Sequence, residues 1–357
     1  MTQHFGVVVA VILLIAGGSS VAAQARPQPL TPIQVDEIVN HLRSAAQDYV
    51  FPDIATKLQA EIDEHRAEYR AIDDPAQLAN RLTTDMRAVG HDFHLAVSYG
   101  EELGIRKEPT PEEKQHAHAF DLANGYGLRS ARRLPGNIGY IDLAYFSPDP
   151  DAGTAVAAAM QLVNGTDALI LDLRRNGGGS GETEMTLISY FFDGQLSSVE
   201  ERVQGRLQER QHWTVPYVQG PRYAGKPVYI LTSQHTHSAA EVLAYDLKNA
   251  HVATIVGEPT SGDATSASGE IDLGHGFSTF IANGQIMSPI THANYTRTGV
   301  QPDVTTEPVN ALETAYVLAL KAAKSSVDSE ELRKEKESAI NDPRAALRQE
   351  IDGFLQK

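Results

Sequence analysis

Between Asn137 and Gly257 the chain alternates short apolar runs with stretches of helical spacing, and few folds accept that alternation. Residues 137–143 (NIGYIDL), 167–173 (DALILDL), 227–233 (PVYILTS) and 253–258 (ATIVGE) read as strands. Residues 154–166, 183–192 and 239–250 between them read as helices. Strand and helix in strict turn predict βαβ units on a largely parallel sheet. The fold class expected is therefore α/β.

Upstream the texture differs. Residues 31–49, 51–69 and 74–89 each carry one apolar stripe at helical spacing: Ile33, Ile38, Val39, Leu42; Ile54, Leu58, Ile62; and Leu78, Leu82, Met86, Val89. Thr-Pro opens the first helix, and Asp73 or Asp74 caps the third. A strand is expected at 94–100, short strands with glycine turns from Glu270 to Ile286, and a helix at 310–324. Beyond Ser325 the mixed charge predicts an exposed helical tail. The division expected is a leader at 1–25, a helical domain at 26–90, an α/β core at 91–324 and the tail at 325–357.

The leader has an apolar run from Phe5 to Ala16, then small residues and an Ala23-Gln24-Ala25 cleavage pattern. That reads as a secretory signal, with an uncleaved anchor the alternative because no Lys or Arg precedes the apolar run, so the protein is expected to be exported, to the periplasm or beyond. With no cysteine, the chain has no disulfides, thiolate ligands or thiol nucleophile. A formal net charge of −16 excludes nucleic acid as a partner. The 13 histidines include the i, i+2 pairs His116/His118 and His235/His237, but no metal-binding motif, so neither metal nor cofactor is expected.

Two loops carry chemistry. Ser238 stands where the strand 228–231 hands over to a helix. Ser238-Ala239-Ala240-Glu241 has the form of a capping box, and a cap and a nucleophile can share that place. Gly177, Gly178 and Gly179 follow the strand 169–172, where backbone N–H groups can face a ligand. The loop lacks both phosphate-binding glycine patterns, which leaves two readings, an oxyanion hole or a plain flexible turn.

DLRRNGGG (172–179), LTSQHTHSAAE (231–241) and ATIVGEPTSGDA (253–264), in this order, resemble the tail-specific (C-terminal processing) serine peptidases. The branch most similar holds the interphotoreceptor retinoid-binding protein modules, with tricorn protease more distant. The resemblance spans about residues 31–320 and implies a ClpP/crotonase-like core acting on a peptide or protein substrate. It implies Ser238 as nucleophile, His94 of MRAVGHDFHLAVSY as base, and Ala239 with Gly178 or Gly177 as oxyanion donors. The pattern is broken in places. Asp263 stands where the Ser–Lys members carry lysine, and residues 100–137 are too few for a PDZ domain. Phe93 replaces the small residue before the histidine. In NYTRTGVQPDV, Tyr295 and Thr296 stand where the branch has Trp and the Glu that orients the base. The orienting role then falls to Thr296, Asp92 or Asp263, with Glu270 a further candidate and His91 a rival base. Arg174 and Arg175 are candidate anchors for a peptide carboxylate or plain strand-end charges. The alternative function is a catalytically impaired module that binds an apolar molecule or peptide in the same cleft. The oligomeric state is not set by the sequence.

Overall fold

The computed structural model describes residues 28–92, 94–100, 110–203, 206–266, 269–324 and 329–352. The segment read as a secretory leader, residues 1–25, lies outside the described residues.

The N-terminal part is built from α1 (Pro32–Ala45), α2 (Pro52–Glu64), the single turn α3 (Arg66–Tyr69) and α4 (Pro75–Gly90). Thr31 and Gln34 close a capping box at α1, and Asp74 rather than Asp73 caps α4 by accepting from Gln77 N–H at 2.9 Å. The α1 stripe is Val35, Ile38, Val39 and Leu42; Ile33, expected on it, is 70% exposed. Val35, three residues before Ile38 and four before Val39, takes that place on the inward face, which Ile33 at five before Ile38 misses. β1 (Ala96–Tyr99) follows, then α5 (Pro111–Ala123).

The central sheet takes β2 (Leu128–Leu134), β3 (Ile138–Leu143), β4 (Ala168–Asp172), β7 (Val228–Thr232), β8 (Ala253–Gly257) and β13 (Val304–Thr305). Their order is β13-β8-β7-β4-β3-β2, parallel except for the β2–β3 hairpin. All residues of β3, β4 and β7 are buried, as strands covered on both faces must be. On one face lie α6 (Ala152–Val163), α7 (Gly181–Ile188) and α8 (Ala239–Asn249). On the other lies α9 (Pro308–Ala322). The charged tail forms α10 (Glu330–Asn341) and α11 (Pro343–Asp352). It is not wholly surface: Ala339 and Ala346 are buried in the same cluster as α9.

Two antiparallel sheets complete the molecule. β5 (Gln195–Val203), β6 (Arg206–Trp213), β9 (Thr265–Ser266) and β12 (Gly284–Met287) run in the order β6-β5-β12-β9. β10 (Glu270–Gly274) and β11 (Phe277–Phe280) pair with β1 as β1-β11-β10. Leu273, Phe277, Ile281 and Ala282 join the N-terminal helices in one apolar cluster. The packing therefore crosses the 90/91 boundary drawn from the sequence, because a hairpin from residue 270 onward completes the helical unit's core.

Candidate active site

β4, β7 and β8 are neighbours whose carboxyl ends align, with Asp172 beside Leu231 and Thr232 beside Gly257. Three loops therefore leave the sheet at one edge, where open α/β sheets place their ligands. The first two are stitched together. Ser233 Oγ donates to Arg174 O at 2.7 Å, Thr236 Oγ1 to Leu173 O at 2.8 Å, and His237 N–H to Asn176 O at 3.0 Å.

Ser238 sits at φ 53°, ψ −125°, far from the extended geometry of a capping residue. Such a left-sided conformation costs a non-glycine residue about 1–3 kcal/mol and marks a side chain held for a purpose. Gly178, at φ 89°, packs against it: a Cβ there would lie 2.6 Å from Ser238 Cβ and 3.1 Å from Ala239 N. Only glycine fits that approach. The donors expected of this loop are already committed, however. Gly178 N–H donates to Asn176 Oδ1 at 2.8 Å and Gly177 N–H to Ala144 O at 3.2 Å. Ala239 N–H, first in α8, has no acceptor within its helix and is the donor left beside Ser238.

His94 comes in just before β1. Its Nδ1 lies 2.9 Å from Asp263 Oδ1, 2.9 Å from Thr265 Oγ1 and 3.3 Å from Asp92 Oδ1. Thr265 Oγ1 also lies 2.9 Å from Asp263 Oδ1 and 3.0 Å from Asp92 Oδ2. Asp92 further accepts from Tyr49 OH at 2.9 Å and from His94 N–H at 2.8 Å. Burial disfavours charge on the imidazole, but Asp263 and Asp92 outweigh it and hold its pKa up at about 10. Burial likewise opposes the Asp92 charge, yet His94 and Tyr49 keep that carboxyl below its ordinary range.

Glu241, fully buried on α8, fixes the third loop. Its Oε1 accepts from Thr260 Oγ1 at 2.5 Å and Gly262 N–H at 2.7 Å. Its Oε2 accepts from Ser261 Oγ at 2.8 Å, Asp263 N–H at 3.1 Å and Ser238 N–H at 3.1 Å. One carboxylate thus ties the Ser238 turn to the loop that presents Asp263.

The remaining candidates make no hydrogen bond or ion pair to His94, Asp92 or Asp263 among the described residues. Thr296 Oγ1 is buried with no hydrogen-bond partner and is absent from the set of groups around His94 Nδ1. Glu270, on β10, is bonded to Ser278. His91 caps α4 and, with Thr296, lines a cavity of about 300 Å³ that Tyr49, Asp92, Asp263, Thr265 and Arg297 also border. Arg174 is held by Asp172 and Pro308 O, and Arg175 by Asp142 at 2.7 Å, so both serve strand ends. Tyr49, Thr265 and Glu241 were not singled out from sequence for this cluster. Thr265 shares the i, i+2 relation to Asp263 that flagged Asp92 beside His94, whereas Glu241 was hidden inside a capping signal.

A parallel α/β sheet whose strand ends gather a strained serine, a carboxylate-bound histidine and a glycine loop defines a hydrolase-like class. Residues 137–306 match the model described as Peptidase family S41, and residues 32–123 that of the N-terminal domain of Peptidase_S41 in eukaryotic IRBP. The chain belongs to peptidase family S41. A carboxyl-terminal-processing protease of Synechocystis sp. is 29% identical over 48% of this chain and 38% of its own length. The chain spans 31–40% of the length of the curated relatives it matches. Among solved structures, a lipoprotein from Streptococcus agalactiae shares the fold at a TM-score of 0.58, with 16% identity, over 88% of this chain and 99% of that one. A photosystem II D1 C-terminal processing protease does so at 0.50, with 18% identity, over 82% and 99%. Among the described residues no helix is long and apolar enough to cross a membrane.

Proposed function

We propose that the protein is an exported serine peptidase acting on exposed peptide ends or short peptides. Ser238 Oγ attacks the scissile carbonyl carbon while His94 takes its proton. The carbonyl oxygen becomes an oxyanion beside Ala239 N–H, and Gly178 N–H joins when that oxygen replaces Asn176 Oδ1 as its acceptor. His94 then passes the proton to the departing amine, and water repeats the sequence on the acyl-enzyme. Asp263 and Asp92 orient the imidazole and stabilise its charged form, the work of the single carboxylate in a triad. They supply it from a different place than position 296.

The observation that carries this reading is the His94 cluster: a histidine bonded through Nδ1 to a buried carboxylate, in a chain of family S41. Read as a plain binding pocket, the same cleft gives Ser238 no reason for its strained backbone.

The test is labelling by a fluorophosphonate probe of residues 26–357, with the modified residue located by mass spectrometry. Labelling at Ser238 that disappears in Ser238→Ala is expected. Native protein that stays unlabelled at every pH from 7 to 10, while a control hydrolase reacts, would overturn the peptidase reading.

A further inference from the structure

Between the second and third loops, around His237, lies an arrangement that the serine chemistry leaves unused. His237 Nδ1 lies 2.8 Å from Ser261 Oγ, which in turn lies 2.8 Å from Glu241 Oε2. A carboxylate only accepts, so the one Ser261 proton points to Glu241 and Ser261 Oγ must accept from His237. A neutral His237 therefore carries its proton on Nδ1 and presents a lone pair at Nε2. That lone pair faces Asp263 Oδ2 at 3.4 Å. Asp263 Oδ2 is itself buried without a hydrogen-bond partner, on a side chain only 8% exposed. With the ring neutral, two electron-rich atoms face each other.

His94 closes the group from the far side of the same carboxylate, its Nδ1 2.9 Å from Asp263 Oδ1. One ligand atom from each of His94, His237 and Asp263 lies within 4.8 Å of the other two. We propose that these three residues bind a zinc ion, and that the ion switches the site off.

Two imidazoles and a carboxylate suit Zn²⁺, whereas Mg²⁺ and Ca²⁺ take oxygen ligands. Zn–N and Zn–O bonds of about 2.0–2.2 Å at tetrahedral angles put neighbouring donors about 3.4 Å apart. The His237–Asp263 separation already matches that spacing. The His237–Ser261–Glu241 relay is the outer support metal-bound histidines usually have, with the second ring nitrogen donating to a fixed acceptor. His94 and His237, with side chains 29% and 32% exposed, leave a path for the ion to enter.

Inhibition, unlike binding, rests on the peptidase reading. A base needs a free lone pair on His94 to take the Ser238 proton. Zinc on Nε2 occupies that pair, and zinc on Nδ1 leaves the ring proton on Nε2. Either way His94 can no longer accept.

The experiment uses residues 26–357 freed of metal with chelator and titrated with Co²⁺, whose visible absorption reports low-coordinate sites, then with competing Zn²⁺. One saturable Co²⁺ per chain is expected, displaced by Zn²⁺ and unchanged in Ser238→Ala. His237→Ala and Asp263→Asn should each weaken it by about tenfold or more. Should His237→Ala fail to fold, His237→Gln makes the same comparison, with a thermal melt confirming the fold of each variant. Zn²⁺ should also block fluorophosphonate labelling of Ser238 in the native protein but not in folded His237→Ala. Absence of a saturable Co²⁺ signal in native protein, or native affinity in folded His237→Ala, would overturn the site. A normal Co²⁺ signal with Ser238 unlabelled at every pH would support the metal site while removing the peptidase reading. Labelling indifferent to saturating Zn²⁺ would overturn the switch.

Discussion

Ser238 holds a backbone conformation that glycine adopts freely and serine does not. Ser238→Gly should therefore raise stability by about 1 kcal/mol, seen as a higher melting temperature, while abolishing labelling. A destabilised Ser238→Gly would mean that the turn is not strained. Thr296 makes the opposite case. Its hydroxyl is buried without a partner, so Thr296→Val should leave labelling within about twofold of native and stabilise by about 1 kcal/mol. A large loss of labelling would return Thr296 to the site. At this scale the sequence was legible where a side chain's place follows from its neighbours: Asp92 and Asp263 were candidate orienters, and both lie beside His94 Nδ1. Backbone direction is not written in the sequence: the Gly177 and Gly178 N–H groups donate to Ala144 O and Asn176 Oδ1, and only the folded loop shows it.

Among the elements, α8 and the loop 258–264 act together because Glu241 accepts five hydrogen bonds, four from that loop and one from Ser238 N–H at the start of α8. Glu241→Ala would strand those donors in a buried place, each worth about 1 kcal/mol or more. A loss of about 3–5 kcal/mol is expected by denaturant melt, and labelling falls with it because Asp263 loses its anchor. A loss under 1 kcal/mol would show that the loop holds itself. The strands and helices of the parallel sheet were legible because burial on both faces writes continuous apolar runs. The hairpin β5–β6 was not. Every residue of β6 except the half-buried His212 is exposed, so its strand character comes from pairing with β5 rather than from its own pattern.

At the scale of the whole molecule, the N-terminal helices and the β10–β11 hairpin share one core although about 180 residues separate them in the chain. A fragment starting at residue 93 would expose Leu273, Phe277 and Ile281 and lose the Asp92 carboxylate. It should be insoluble or bind a hydrophobic dye strongly, where residues 26–357 do not. A soluble fragment with a cooperative melt would contradict that shared core. The helical segment and the α/β core were each visible in the sequence. Their union was not, because no local period records which distant hairpin closes a helical unit.

The most direct test is the pH dependence of Ser238 labelling in chelator, for native protein and for Asp263→Asn. His94 must be neutral to act as base, and two carboxylates hold its proton on up to a pKa of about 10. Labelling should therefore climb through the alkaline range in native protein, with a midpoint near that value. Removing one carboxylate should move the midpoint down by about 1 pH unit or more. A native profile already flat by pH 7, or one that Asp263→Asn leaves in place, would contradict a histidine base held by Asp263 and Asp92.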